Sequence, residues 1–96
     1  MDTTLTFEAC VETLEEALAA QYRGANRIEL CSALDQDGLT PSPELTRQCV
    51  QNLSIPVMAM VRPRGGNFVY SEDELLQMES EIAYFKQSGV VGVVFG

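Results

Sequence analysis

From Thr4 onward the sequence alternates a β-rich run with a helical stripe three times over, then closes on a further apolar run, Val90 to Phe95. The steps from Thr4 to Arg27, Arg27 to Val57 and Val57 to Val90 are those of βαβ units, because parallel strands need a crossover of about a dozen residues or more between them. A buried parallel strand takes a helix layer on one side and a strand at each edge. The last run has neither helix nor strand after it in this sequence, so its border has to be covered from elsewhere. Four strands here and eight in a closed barrel predict that two copies pair, first strand to fourth, across a twofold axis. Self-association as a homodimer or higher oligomer is therefore expected.

The local signals divide the chain readily. Thr4 to Cys10 reads as strand one, and Leu14, Ala17, Leu18 and Tyr22 recur at helical spacing behind Thr13 and Glu16, a capping-box pair, with Gly24 closing the helix. Arg27 to Cys31 is strand two, Ser32 to Thr40 a polar loop, and Pro41 or Pro43 opens helix two, whose inner face is Leu45, Cys49 and Leu53. Val57 to Val61 is strand three and Arg62 to Tyr70 a loop. Ser71 with Glu74 caps helix three, whose stripe is Leu75, Met78, Ile82 and Phe85, ending near Gly89 before strand four. No linker divides the chain, so residues 1–96 are expected to form a single domain.

Alternation along the strands sorts the side chains into two faces, and charged residues do not point easily at a helix layer. The charged face, the interior of the curved sheet, should carry Glu8 and Cys10, then Arg27, Glu29 and Cys31, then Met58, Met60 and Arg62. Phe7, Ala9, Ile28, Leu30, Val57, Ala59 and Val61 should face the helices. Strand four carries no charge to set its parity.

Composition narrows the function classes. The net charge is −8 with only six Lys and Arg, which argues against a nucleic-acid backbone or an anionic membrane surface as partner. No apolar stretch approaches the roughly 20 residues of a membrane-spanning helix, and Met1-Asp2 does not open a signal segment, so a cytoplasmic protein is expected. The three cysteines are widely spaced without a Cys-x-x-Cys, which favours reduced thiols over disulfides or a zinc knuckle. With no histidine in the chain, any chemistry falls to carboxylates, thiols, Arg, Lys or Tyr.

Ligand sites of parallel α/β sheets lie at the carboxyl ends of the strands, where Cys10, Cys31 and Arg62-Pro63-Arg64-Gly65-Gly66 fall. Arg62 and Arg64 before two glycines suit a carboxylate or phosphate; the plainer alternative is that Arg62 neutralises Glu8 or Glu29 across the interior. Glu8 and Glu29 are candidates for general acid and base, with Arg27 and Arg62 as simple ion-pair partners instead. Cys10, Cys31, Met58 and Met60 place soft sulfur on one face, the donor type that favours Cu(I), although Met as a gap filler and Cys as a small buried hydrophobe is the plainer and favoured account. Cys49 belongs to the helix layer, and Phe68, Tyr70 and Tyr84 read as packing residues.

The stretches FEACVETLEEALAAQYRGANRIELCSAL, GLTPS, IPVMAMVRPRGGNFVYSEDE and GVVGVVFG, taken in order, resemble the amino-terminal part of the CutC family, proteins named for copper homeostasis. The resemblance covers nearly the whole chain. It implies a TIM barrel of eight β/α units, of which this chain makes the first half or slightly less: a partial barrel of four parallel strands and three helices. It also implies a cytoplasmic, self-associating protein linked to copper tolerance, with Cu(I) binding through cysteines and no demonstrated catalytic activity. Carried over by position, Cys31 in RIELCSAL is the best-matched thiol, Cys10 in FEAC is next, and Glu8, Glu29, Arg62 and Arg64 line the mouth. The alternative is an enzyme-like site in which Glu8, Glu29 and Arg62 handle a small anionic metabolite.

Overall fold

The computed structural model describes residues 6–95, which form one parallel sheet in the order β1-β2-β3-β4 with helices between successive strands. The strands are β1 (Glu8–Val11), β2 (Arg27–Leu30), β3 (Val57–Val61) and β4 (Gly92–Phe95), and the helices α1 (Leu14–Tyr22), α2 (Pro43–Asn52) and α3 (Glu72–Ser88). This is the expected partial α/β barrel, with each strand hydrogen-bonded beside its predecessor.

The helix ends follow local chemistry. At α3 the box is complete: the Ser71 hydroxyl accepts the Glu74 N–H, and the Glu74 carboxylate accepts the Ser71 N–H. At α1 the Thr13 hydroxyl accepts the Glu16 N–H, but Glu16 reaches past the cap to the N–H of Glu12, so only half of the expected box forms. Ser42 caps α2 and Pro43 is its first residue, which decides between the two candidate prolines. Gly89 takes φ +97° to end α3 and turn the chain into β4.

Strand one is shorter and later than its β-rich composition predicts. Thr4 and Leu5 lie outside the described residues, while Thr6 and Phe7 precede the strand and Val11 belongs to it. Phe7 still exchanges hydrogen bonds with Asn26, but it is half exposed and not part of the helix-facing core. The segment 32–40 is more structured than a polar loop, with a 3₁₀ turn at Leu34–Gln36 and a Ser32–Leu39 bridge.

The two faces separate as alternation requires. Ala9, Val11, Ile28, Leu30 and Val57 pack with Ala17 and Cys49 beneath α1 and α2. Ala59, Val61 and Val93 pack with Met78 and Phe85 beneath α3. Cys49 is thus a core residue of the helix layer, and Thr46, fully buried beside it, satisfies its hydroxyl on the Ser42 carbonyl. Leu75 departs from the stripe: it is half exposed, because the helix crosses the sheet on its Met78 and Phe85 side. The parity of β4 is settled by Val93 in the core and by Gly92 on the other face, where a Cβ would stand 2.9 Å from Met58 Cε.

Candidate functional site

On the inner face, β1 and β2 align Glu8 with Arg27 and Cys10 with Glu29, and β2 and β3 align Glu29 with Met58. Glu8 forms an ion pair with Arg27 across these strands. Glu29 forms no ion pair among the described residues. Its carboxyl is held above the ordinary range, first by burial and then by the neighbouring Glu8, while Cys10 and after it Arg27 pull the other way. Two carboxyls in unlike environments on adjacent strands are a chemically usable pair.

The two thiols differ in their surroundings. Cys10 is exposed at the border strand, and Cys31 is buried at the carboxyl end of β2. Its N–H continues the ladder to the Val11 carbonyl, so it shares the face of Glu29 and stands diagonally across from Cys10. Burial pushes the Cys31 thiol up to about 11, with Cys10, Glu29, Glu12 and Glu16 adding to the shift. Partial burial against Glu29 and Glu8 raises the Cys10 thiol as well. Above Cys31 the loop turns through Gly38 at φ +92°, where a Cβ would lie 3.4 Å from Cys31 Sγ and 3.7 Å from Met60 Cε. The Cys31 thiol and the Met60 methyl therefore both lie under one glycine, and a larger residue there is strained in backbone as well as in space.

The two arginines serve the loops. Arg62 is 4% exposed and donates from Nη1 to the Gln36 carbonyl at 3.0 Å and from Nη2 to the Gly66 carbonyl at 3.1 Å. It reaches neither Glu8 nor Glu29, contrary to the simpler ion-pair expectation, since the side chain turns up into the mouth loops. Its backbone and Thr40 clasp each other, the Arg62 N–H donating to the Thr40 hydroxyl at 2.9 Å and the Thr40 N–H to the Arg62 carbonyl at 3.0 Å. Arg64 bridges Glu74 at the start of α3 to the Asn67 and Val69 carbonyls, with its guanidinium over the Tyr70 ring. The Glu74 carboxyl is lowered, first by the Ser71 N–H it accepts and then by Arg64.

Sequence reasoning missed the Gly38 lid on Cys31, the Gln36 and Gly66 carbonyls on Arg62, and the anchoring role of Arg64. The Gln36 contact joins segments 26 residues apart, and the others lie within or beside loops, so none leaves a periodic trace. Phe68 is not a packing residue in the ordinary sense: it is 63% exposed and lies against the Arg62 guanidinium, 4.9 Å from centroid to Cζ.

The donor set bears directly on copper. Among the described residues no three His, Cys, Asp or Glu side chains gather in metal-holding geometry. Thiol and thioether donors fit a soft monovalent ion, which two sulfurs on neighbouring strands can serve.

A parallel sheet with helices on one face and polar loops at its carboxyl ends defines an α/β-barrel protein, here about half of one. The model of the CutC family matches residues 5–96, and the chain belongs to that family. A Mesorhizobium japonicum family protein CutC is 47% identical over 93% of this chain and 34% of its own length. A human copper homeostasis protein cutC homolog is 46% identical over 93% of this chain and 33% of its own. The crystal structure of a CutC copper homeostasis protein from Streptococcus agalactiae superposes with a TM-score of 0.90 at 35% identity, covering 97% of this chain and 46% of that one. The chain thus spans about a third of the length of the curated relatives it matches.

Proposed function

We propose that this chain carries the copper-contacting part of a CutC-type copper homeostasis protein, with Cys31 and Cys10 as the thiols that take Cu(I). The supporting observation is their placement diagonally across adjacent strands of one face, with the Met60 methyl beside Cys31 under Gly38. The ion would supply soft-metal affinity for sulfur, and the chain's residues do the rest. Cys31 binds only by giving up a proton it holds tightly, and Glu29 and Glu8 offset the positive charge that arrives. Glycine at 38 lets the loop sit directly on the sulfur, which limits access to a small ion. Three free cysteines fit a reducing cytoplasm.

An anaerobic Cu(I) competition titration of wild type, Cys31→Ser and Cys10→Ser tests the reading. Loss of Cys31 is expected to weaken binding at least about tenfold, about 1.4 kcal/mol, with a smaller loss for Cys10. Because the Cys31 thiol stays protonated up to about 11, wild-type affinity should rise about tenfold per pH unit between pH 6 and 8 for each proton displaced. Equal, pH-independent affinity in all three proteins removes the site.

A further inference from the structure

Among the described residues Arg62 is a buried cation that forms no ion pair. The chain holds fourteen Asp and Glu against six Lys and Arg, so carboxylates are plentiful. Among the described residues the ion pairs are Arg27 with Glu8, Arg47 with Glu44 and Arg64 with Glu74. Each of those arginines is more exposed than Arg62, at 4%, which forms none. Its terminal nitrogens meet two neutral carbonyls, and its Nε is buried with no hydrogen-bond partner among the described residues. A guanidinium stays charged at every accessible pH, and burying it among neutral groups with one donor unmet is strongly unfavourable. Such an arrangement is expected where the missing partner is a ligand.

The surroundings indicate how a ligand would reach it. The guanidinium is held from both sides by main-chain groups of the two mouth loops, so its orientation does not depend on the ligand. The Phe68 ring lies on it, yet Phe68 is 63% and the next residue, Val69, 79% exposed, so the ring is poorly anchored by anything else. The backbone around it is fastened separately, by Arg64 to the Asn67 and Val69 carbonyls. Of the groups that touch the guanidinium, Phe68 is a side chain and the others are loop carbonyls, so its rotation would bare that side without opening the loops. The Nε edge of a guanidinium, with the adjacent terminal nitrogen, presents two parallel N–H groups that match an oxyanion.

We propose that Arg62 is an oxyanion receptor at the barrel mouth, covered by Phe68 when empty, and that a small carboxylate or phosphate displaces the ring and takes the unmet Nε–H. The receptor is independent of the thiol site: it uses no sulfur and no metal, so it stands or falls apart from the copper reading.

The test is solution NMR of the 96-residue chain, following the Arg62 Nε–Hε resonance. That signal is assigned by its loss in Arg62→Lys or, if that variant does not fold, by correlation to the Arg62 backbone. Sodium phosphate and sodium acetate are titrated separately at constant ionic strength, with chloride as control. We expect a saturable shift with at least one oxyanion and none with chloride, and whichever of the two saturates at lower concentration identifies the class. Phe68→Ala removes a competing cation–π contact and should tighten binding about two- to fivefold. A resonance that moves with neither oxyanion, or moves equally with chloride, in both wild type and Phe68→Ala overturns the receptor. Saturable binding that Phe68→Ala leaves unchanged or weakens overturns the role of the ring as its cover.

Discussion

The centre and the border of the sheet use similar residues and reach opposite states. Ile28 and Leu30 in β2 and Ala59 and Val61 in β3 are 0% exposed, whereas Val91 and Phe95, beside and within β4, are 64% and 60% exposed. Yet β4 is the more apolar strand, GVVF against RIEL. Burial is conferred by neighbours on both sides and a helix above, and β2 and β3 have all three while β4 lacks one edge and part of its cover among the described residues. The deficit shows as a groove of about 360 Å³ lined by Leu75, Leu76, Met78, Ile82 and Phe95. Apolar surface gathered in this way at a strand edge is what the proposed pairing of two copies would bury.

The largest expected consequence concerns the centre. Leu30→Ala should cost about 2–5 kcal/mol in urea denaturation, while Val91→Ala should cost under about 0.5 kcal/mol. Equal losses would break the contrast. Next comes the border itself. Sedimentation at micromolar concentration is expected to show a dimer, and Phe95→Asp to weaken it at least about tenfold. A wild-type chain that stays monomeric and folded would mean the border tolerates water. Ser71→Ala, which removes the hydroxyl half of the α3 capping box, should cost about 1 kcal/mol in the same urea assay. No change would show that α3 is held by Met78 and Phe85 alone.

The smallest effect sharpens the inner face. Glu29 has a folded pKa above its unfolded value, so its proton is bound more tightly in the folded state. Its contribution is therefore favourable below the ordinary carboxylate range and is lost as pH rises through the raised value. Glu29→Gln, which mimics the protonated form, should add a few tenths of a kcal/mol, about that of a screened surface interaction, at pH 7 and nothing near pH 4. A destabilised variant at pH 7 would mean that the ionised carboxylate is needed by Arg27.

Much of this was legible in the chain. Alternation placed Ala9, Ile28, Leu30, Val57, Ala59 and Val61 against the helices and Cys10, Glu29, Cys31 and Arg62 away from them, because period-two geometry leaves no other choice once charges are barred from the helix layer. The capping residues of α3 and the proline start of α2 were readable for the same local reason. Leu75 was misjudged because the helical stripe is wider than the contact that one helix makes with a sheet border. The partner of Arg62 was misjudged because proximity in strand order favoured Glu8 and Glu29, while the side chain found carbonyls on loops whose paths no periodicity describes.

The sequence by itself determined the order of strands and helices, the face each strand residue takes and the family, since these rest on spacing, local capping and contiguous motifs. Only the tertiary structure decided that Cys31 is sealed beneath Gly38, that Arg64 is engaged with Glu74 and its own loop, and that Arg62 is left with an unmet donor beneath Phe68. Those outcomes depend on where separate loops meet in space, and the free energy of a buried charge or thiol is set by all the groups around it rather than by its neighbours in the chain.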